Sequence, residues 1–515
     1  MVQEGELRRS TPLLDPADTP PYNPPIMKVR VRYAPSPTGF QHIGGVRTAL
    51  FNYLFARSKG GEFILRIEDT DRERYRQDAM EDIYATFDWL GFHWDEGPDI
   101  HGPLGPYVQS ERVELYREHA RRLVENGQAY PCYCSHERLE ELKAEQRRQG
   151  AAPGYDRHCR ELSQRERETL EQLGTKPVIR FKVPLEGTTV AVDELLGRIE
   201  TNNTEINPDP VLLKSDGFPT YHLANVVDDH LMEITHIMRA QEWLPSMPLH
   251  VLLYRAFSWK PPLYCHLPMV LGSDGQKLSK RHGATRVVEF KEKGYLPEAV
   301  LNYIALLGWS FDDSREFFTL KELQQLFSLD RLNKAPAVFD YKKLDWFNGM
   351  YIRKAESQRL AALLLPYLQQ RGWISENPSE DERRRVEDLL PLVQERLTVL
   401  SDVLPLVGFL FEEVPTPPAE ELIPKRLDGK QTAGALRSVC TLLADFDEHS
   451  DEDNEQHFRR AAEDLGVKLG DLLMPVRVAL TGSRVSPPLF ESIRVLGVGK
   501  TLERLENALG KLEGS

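Results

Sequence analysis

The sequence has few cysteines and no long hydrophobic run. Only five cysteines occur in 515 residues, too few and too unevenly spaced for a disulfide framework. This content is typical of a reducing compartment, and we expect the protein in the cytoplasm. Apolar stretches such as Val403–Phe411 reach only about half of the roughly 18 residues that a membrane-spanning helix needs. We therefore expect no membrane insertion.

Apolar residues are also scarce at the start of the chain, where residues 1–27 are rich in proline, as at Pro20, Pro21, Pro24 and Pro25. The segment lacks the apolar core of a signal peptide and the pattern of an organelle-targeting helix. We interpret it as a disordered extension.

Positive charge is in deficit, since 65 Lys and Arg face 79 Asp and Glu for a net charge of −14. This total does not favour a polyanionic partner, although basic faces can exist on an acidic protein. The apolar fraction of 41% and the charged fraction of 28% are typical of soluble globular proteins. The length exceeds what one hydrophobic core supports, so we expect several domains.

The chain begins its ordered part with a βαβ pattern. Lys28–Tyr33 has the composition of a strand, and the prolines and glycine of Ala34–Gly39 predict a turn. A one-sided apolar spacing from Val46 predicts a helix that ends at Lys59–Gly61, and Phe63–Ile67 predicts a second strand. Two parallel strands joined by a helix favour a doubly wound, Rossmann-type α/β sheet.

The sheet is predicted to be split by an α+β insertion and followed by helices. Charged helices (Glu137–Arg148, Glu161–Glu171) and a strand at Val178–Val183 mark the insertion. The sheet resumes at Pro210–Leu213, Leu231–Met238 and Pro268–Leu271, with a helix near Pro248–Phe257. Helical periodicity dominates beyond residue 345, and Pro415–Pro418 divides that half. The predicted units are 1–27 (extension), 28–111 and 211–271 (the two halves of the sheet domain), 112–210 (insertion), 272–345 (a region with the basic loop), and 346–414 and 415–515 (all-α).

Two short loops carry phosphate-binding chemistry. His42–Gly45 lies where the first strand enters its helix, and backbone N–H groups and the helix dipole there attract phosphate. Lys277–Arg281 places three cations after the glycine-bearing turn Gly272–Gly275, where a mobile loop could close over a triphosphate. Each loop alone is typical of an ordinary turn or a solvated surface. Their order on one sheet makes the pair specific.

The whole pattern resembles the class I aminoacyl-tRNA synthetases and, within them, the bacterial-type glutamyl-tRNA synthetases. Gly45 stands where the wider class has a second histidine, a departure that the glutamyl branch commonly shows. The resemblance runs from residue 28 to the helical half, which it implies is an anticodon-binding region. It also implies that the insertion at 112–210 binds the acceptor stem of a tRNA and that residues 272–345 contact the stem. The segments that carry it are Arg32–Gly39, Arg66–Asp71, Lys214–His230, Arg239–Trp243, Trp346–Ile352, Lys468–Gly470 and Pro475–Gly482.

The resemblance implies an ATP-dependent reaction of L-glutamate with tRNA(Glu) through a glutamyl-adenylate, with release of AMP and pyrophosphate. Catalytic contacts to the phosphates of ATP·Mg²⁺ would come from His42, Lys277 and Lys280. The other ATP contacts that it implies are Gly44, Gly45, Glu242, Val270, Leu278, Ser279 and Arg281.

The substrate glutamate needs cations for two carboxylates and an anion for its ammonium. By resemblance, Arg32, Tyr221 and Asn225 hold the side-chain carboxylate and Arg239 holds the α-carboxylate. Glu68, Ser36 and the Ala34 backbone would hold the ammonium. From the sequence, we expect Arg32→Ala to leave the fold intact and to abolish glutamate activation.

The insertion also resembles a zinc knuckle that some glutamyl enzymes carry. Cys132, Cys134 and Cys159 would supply three thiolates. Glu161 stands where other members have a histidine, so either Tyr155 or His158 is left as fourth ligand.

Arg396 aligns with an arginine that reads the third anticodon base of tRNA(Glu) in the family; the alternative is a solvated arginine on a helix surface. We expect the chain to be a monomer. A glutaminyl-tRNA synthetase and a catalytically silent tRNA-binding relative remain alternative interpretations. A glutamyl-queuosine type enzyme lacks the helical half.

Overall fold

The computed structural model describes residues 28–514, so the extension expected at residues 1–27 lies outside it. Within this range, no helix is both long and apolar enough to cross a membrane.

The chain opens with the predicted βαβ unit. β1 (Arg30–Tyr33) pairs in parallel with β2 (Glu62–Leu65), and α1 (Ile43–Ser58) connects them, followed by α2 (Gln77–Leu90). The chain turns back after α1 through Gly61, where a Cβ would lie 2.3 Å from the carbonyl oxygen of Val29. Only glycine allows this close approach of two backbone segments.

The insertion is an α+β unit, as predicted. It comprises α3 (Val113–Glu125), β3 (Ala129–Cys132), α4 (His136–Arg148), α5 (Gln164–Gln172), β4 (Val178–Phe181), β5 (Thr188–Asp193), β6 (Gly197–Asn202) and β7 (Val211–Leu213). β3, β4 and β7 form an antiparallel sheet. The prediction that Pro210–Leu213 resumes the first sheet is wrong, because the apolar pattern of a three-residue strand does not specify its partner.

The main sheet is completed by α6 (Tyr221–Leu231), β8 (His236–Ala240), α7 (Met247–Ala256) and β9 (Leu263–Leu267). β8 and β9 are parallel, and the antiparallel hairpin β5–β6 joins β9, in the order β6-β5-β9-β8. β1 lies beside β8, and the Thr235 N–H donates to the Arg30 carbonyl at 2.9 Å. The α/β fold is confirmed, with a mixed sheet.

Two strand predictions in this region are wrong. Leu231 ends α6, so the strand expected from Leu231 begins only at His236. The strand expected at Pro268–Leu271 is reduced to β10 (Val270–Leu271), which pairs with β11 (Ala337–Val338) instead of the main sheet. The strand that the main sheet uses is β9, where polar His266 interrupts the apolar pattern.

The basic loop leads into a small helical region and then into the all-α half. The region holds α8 (Val287–Lys293), α9 (Pro297–Ala305), α10 (Leu320–Leu326) and α11 (Tyr341–Lys354). The all-α half comprises α12 (Ser357–Gln370), α13 (Glu380–Val393), α14 (Val403–Phe411), α15 (Ala419–Leu422), α16 (Gly429–Leu442), α17 (Asp451–Asp464), α18 (Leu469–Thr481), α19 (Leu489–Leu496) and α20 (Val498–Glu513).

Residues 346–514 contain no strand, as the periodicity predicts. They build two separate apolar cores. Leu360, Leu364 and Leu368 of α12 are fully buried in the first core, and α16, α18 and α20 enclose the second. Pro415–Pro418 lies in the irregular segment between α14 and α15, where one core gives way to the other.

Candidate active site

A cavity of about 750 Å³ opens where the carboxyl ends of β1, β8 and β9 meet the amino end of α1. The carboxyl edge of such a sheet is the usual place for a ligand. Arg281 lies outside the lining and donates to Asp274 at 3.2 Å. All other residues predicted to contact glutamate or ATP line the cavity: Arg32, Ala34, Ser36, His42, Gly44, Gly45, Glu68, Tyr221, Asn225, Arg239, Glu242, Val270, Lys277, Leu278, Ser279 and Lys280.

His42 is the N-cap of α1, and its ring orientation follows from that position. The Gly45 N–H donates to His42 Nδ1 at 3.2 Å. Burial and the nearby Lys277 lower the pKa of His42, which keeps the imidazole neutral near pH 7. With Nδ1 accepting, the ring proton is on Nε2. His42 therefore offers the cavity a hydrogen-bond donor.

The basic loop contains two cations that the protein neutralises, Lys277 and Arg281, and one that it does not. Lys277 Nζ donates to the carboxylate of Glu242, so two predicted ATP contacts bind each other. Lys280 begins a 3-10 turn, is exposed, and forms no ion pair with any residue of 28–514. The Leu278 N–H donates to the Val270 carbonyl at 3.0 Å, which ties this loop to β10. Lys280 is therefore available to an anionic ligand.

Arg32 is held by a carboxylate that the motifs did not single out. Its Nε and Nη2 donate to the two oxygens of Asp229 at 3.0 and 3.1 Å, and Arg66 Nη1 donates to the same carboxylate at 2.6 Å. Burial raises the pKa of Asp229, but Arg32 and Arg66 outweigh burial and hold it below its ordinary value. Asp229 therefore fixes the Arg32 fork, whose Nη1 remains for a ligand.

Glu68 provides the anionic wall of the cavity. Arg66 Nη2 donates to Glu68 Oε1 at 3.0 Å, and Ser36 Oγ donates to the Glu68 carbonyl at 2.7 Å. Burial raises the pKa of Glu68 above its ordinary value, although Arg66 opposes the change. Asn225 Nδ2 lies 3.5 Å from Glu68 Oε1, and the buried Asn225 Oδ1 has no partner. The amide nitrogen carries two N–H groups, so Nδ2 keeps one for the carboxylate contact predicted for Asn225.

Arg239 is the buried cation on the other side of the cavity. Its Nη1 donates to Tyr221 Oη at 2.9 Å, and its Nη2 donates to the Trp243 carbonyl at 3.3 Å. In contrast to Arg32, it forms no ion pair with any residue of 28–514. A buried guanidinium without a counter-charge is costly, so Arg239 is set up for an anionic ligand.

Two known protein families match the two parts of this architecture. The family described as "tRNA synthetases class I (E and Q), catalytic domain" matches residues 28–346, and the "Anticodon binding domain" family matches residues 359–509. The chain belongs to the class I glutamyl- and glutaminyl-tRNA synthetases.

Individual members of the synthetase family match over most of their lengths. The glutamate–tRNA ligase of Treponema denticola is 53% identical, with 94% of this chain and 100% of the relative covered. That of Borreliella burgdorferi is 54% identical over 94% of this chain and 98% of the relative. The crystal structure of the glutamate–tRNA synthetase from Elizabethkingia anophelis is 35% identical, with a TM-score of 0.83 over 94% of this chain and 100% of that chain.

The insertion of this synthetase brings its three cysteines together. The Sγ atoms of Cys132, Cys134 and Cys159 lie within 4.8 Å of one another. Tyr155 Oη lies 3.3 Å from Cys132 Sγ and 3.6 Å from Cys134 Sγ. His158 is exposed and does not belong to the group. Shared hydrogen bonds lower the pKa of Cys132 and raise that of Cys134.

Arg396 lies in the turn directly after α13, exposed to solvent. Its charge acts on Arg477 of α18, whose pKa is lowered by burial and by Arg396. Arg396 and Arg477, which come from the two all-α units, therefore lie near each other.

Several residues of the site have no signal in the sequence motifs. Arg76 and Arg286 line the cavity and place their guanidinium groups 5.2 Å from the Phe40 ring. Asp229 and Arg66 lie inside segments that resemble the family, but nothing in those segments predicts their bond to Arg32. Their roles depend on tertiary contacts between distant parts of the chain.

Proposed function

We propose that this chain ligates L-glutamate to tRNA(Glu) with ATP, through a glutamyl-adenylate. The observation that carries the proposal is the charge pattern of one cavity. Arg32 and Arg239 lie at the carboxyl edge of the sheet, and Glu68 lines the same cavity. His42 lies at the amino end of α1, and Lys280 lines the cavity from the basic loop. This pattern complements a dianionic amino acid with one ammonium next to a triphosphate.

In the first step, the α-carboxylate of glutamate attacks the α-phosphorus of ATP and pyrophosphate leaves. Arg239 would hold that carboxylate, and Arg32, Tyr221 and Asn225 would hold the side-chain carboxylate. Glu68, Ser36 and the Ala34 backbone would hold the ammonium. Neither this step nor transfer to the 2′-hydroxyl of the tRNA needs a covalent enzyme intermediate. The rate enhancement must therefore come from positioning and from stabilisation of charge.

Charge on the phosphates would be stabilised from two sides. The Nε2–H of His42 and the backbone of Gly44 and Gly45 face the phosphates from the amino end of α1, where the helix dipole favours anions. Lys280 would approach the phosphates from the basic loop. It has no ion pair in residues 28–514, so it loses no contact when it binds them. Lys277 must leave Glu242, and Glu242 is then free to contact the adenosine of ATP, as the Val270 backbone would. Binding of ATP would thus exchange an internal ion pair for two ligand contacts.

Magnesium fits this site as a companion of ATP. Glu68 and Glu242 are the two carboxylate side chains of the lining, and Arg66 and Lys277 engage them. In residues 28–514, the group with metal-binding geometry is the cysteine cluster and not this cavity. Mg²⁺ commonly binds through substrate phosphates, so Mg²⁺ would enter with ATP and neutralise charge on the phosphates.

The cysteine cluster fits one structural zinc ion. Ligands at about 2.3 Å from a tetrahedral zinc lie roughly 3.8 Å apart, and the Cys134–Cys159 Sγ distance is 3.5 Å. We assign Cys132, Cys134 and Cys159 as thiolate ligands and Tyr155 as the fourth, since its hydroxyl already contacts two of the thiols. Zinc would hold the start of α4 to the turn at Tyr155–Cys159.

Glutamate-dependent exchange of pyrophosphate into ATP tests the proposed function. We expect exchange with L-glutamate in the presence of tRNA(Glu), and charging of tRNA(Glu). Exchange supported by glutamine and not by glutamate would instead identify a glutaminyl enzyme. Binding of tRNA without any exchange would identify a silent relative.

A further inference from the structure

The guanidinium of Arg239 forms a hydrogen bond with a histidine that belongs to none of the sequence motifs. Arg239 Nε donates to His266 Nε2 at 3.0 Å. Together with the bonds to Tyr221 and Trp243, this occupies three of the five N–H groups that an arginine carries. One N–H remains on each terminal nitrogen. Each of them can donate to a carboxylate of a ligand.

His266 can accept from Arg239 only if its own proton is on the other nitrogen. His266 Nδ1 lies 2.7 Å from Asp193 Oδ2, and the same oxygen accepts the backbone N–H of His266 at 2.9 Å. Both side chains are completely buried. A carboxylate cannot donate, so Nδ1 carries the proton and Nε2 presents its lone pair. Burial also lowers the pKa of His266, which favours the neutral ring.

The sheet brings these three residues into one row from three strands. Arg239 on β8 is the register partner of His266 on β9. Asp193 is the last residue of β5, and its pairing with Tyr264 is the contact that joins the hairpin β5–β6 to β9. The backbone N–H groups of Leu195 and Leu196 hold the other carboxylate oxygen of Asp193 at 3.0 and 2.9 Å. The insertion therefore supplies Asp193, the far end of a buried series of hydrogen bonds that passes through His266 to Arg239 at the cavity.

We propose that Asp193 and His266 are positioning residues for amino-acid binding. Asp193 fixes the tautomer of His266, and His266 orients the Arg239 fork toward the α-carboxylate of glutamate. This inference rests on the proposed function, because it takes Arg239 as the α-carboxylate ligand. It adds that the site extends into the insertion, through a carboxylate that touches no substrate.

Two substitutions at His266 separate this role from simple packing. The amide of His266→Asn would lie near the former Nδ1 and keep the bond to Asp193, but it leaves Arg239 Nε without an acceptor. His266→Gln would place an amide oxygen near the former Nε2 and can still accept from Arg239. In pyrophosphate exchange with tRNA(Glu), we expect His266→Asn to raise the KM for glutamate about 10–100-fold. The KM for ATP should stay within about twofold, and His266→Gln should recover much of the loss.

Asp193→Asn tests the tautomer itself. The asparagine amide can donate to Nδ1, which would move the ring proton of His266 to Nε2. That proton would then face the Arg239 N–H and the hydrogen bond would be lost, so the KM for glutamate should again rise selectively. Cys265→Ala is the matched control, since Cys265 is buried on the same strand and faces the apolar core. We expect it to lower the melting temperature without changing the KM for glutamate. If Asp193→Asn does not fold, the two His266 variants decide.

An unchanged KM for glutamate in His266→Asn, or an equal rise in the KM for ATP, would overturn the inference and leave the proposed function standing. Absence of glutamate-dependent exchange in the unsubstituted protein would overturn the proposed function, and with it this inference.

Discussion

Gly45 lies directly beneath the hydroxyl of Tyr33, so that a Cβ on Gly45 would lie only 2.8 Å from Tyr33 Oη. Tyr33 cannot easily withdraw, because it is buried and its hydroxyl donates to Gln41 Oε1 at 2.6 Å. This contact gives a physical reason for the departure from the class pattern. A histidine at this position would collide with Tyr33.

Gly45→Ala is therefore expected to destabilise the α/β domain by about 1–3 kcal/mol, the usual cost of overpacking, even though alanine favours helices. Thermal unfolding of the full chain measures this. Tyr33→Phe combined with Gly45→Ala should recover the loss, since the colliding oxygen is gone. The control is Gly434→Ala within α16, where a Cβ meets nothing within 4 Å, and which should be neutral or stabilising. Equal effects at the two glycines would contradict the prediction.

Lys280→Ala is expected to lower the kcat of glutamate-dependent exchange by about 10²–10³-fold, the size found when one preorganised charge contact is removed. Stability should not change, because the side chain is exposed and unpaired in residues 28–514. Lys28→Ala is the control, since it removes an exposed lysine paired with Glu62 at the other end of β1. A Lys280 variant with normal kcat would remove this residue from the proposed mechanism.

Arg32→Ala is expected to cost about 3–5 kcal/mol of unfolding free energy, because it leaves a buried carboxylate with one partner fewer. The expectation from sequence that this variant keeps its fold intact does not allow for the buried pair with Asp229. Arg57→Ala is the control. It removes a bidentate pair with Asp95 that is about one-third exposed and should cost about 1 kcal/mol or less.

The same pair predicts a loss of stability in acid. The pKa of Asp229 in the folded chain lies below its ordinary value. In the unfolded chain we take the ordinary aspartate pKa of about 3.9. Its contribution is therefore complete above about pH 4 and is lost as the pH falls through the lower, folded value. Urea unfolding between pH 7 and pH 2 should show this loss, and Arg32→Ala should make it smaller, because removal of Arg32 raises the folded pKa of Asp229 toward its unfolded value. An identical pH profile for the two proteins would count against the pairing.

Metal analysis of the purified protein should find about one zinc per chain. Cys159→Ser should release the metal and lower the melting temperature of the insertion, because a structural zinc contributes directly to folding. Tyr155→Phe should weaken binding and leave three thiolates in place. Cys440→Ser, a half-buried cysteine in the second helical core, is the control and should keep the metal. Protein without zinc after purification in zinc-containing medium would exclude the site.

Arg396→Ala is expected to raise the KM for tRNA(Glu) while the KM values for glutamate and ATP stay the same. The reason is that Arg396 is exposed and keeps its positive charge available for a contact with the tRNA. Aminoacylation of tRNA(Glu) transcripts with a changed third anticodon base checks the assignment further. The variant should lose its preference for the original base. If it keeps both affinity and preference, Arg396 is a solvated arginine.

The sequence by itself determined the elements with a strong local signal. The βαβ unit, the charged helices of the insertion and the all-α half follow from periodicity and from glycine and proline placement, which act between near neighbours. The two phosphate loops and the family segments likewise placed most of the cavity lining in advance. Most of those residues were implied by the resemblance to the family, which is carried by segments that are continuous along the chain.

Only the tertiary structure decided which strands are neighbours and which side chains are already engaged. Val211–Leu213 pairs within the insertion, and the hairpin containing Asp193 leaves the insertion to join β9. The pairs Arg32–Asp229, Lys277–Glu242 and Arg239–His266 join residues that are far apart in the chain. Strand partners and buried hydrogen bonds depend on packing between distant segments of the chain. Local sequence patterns do not predict that packing.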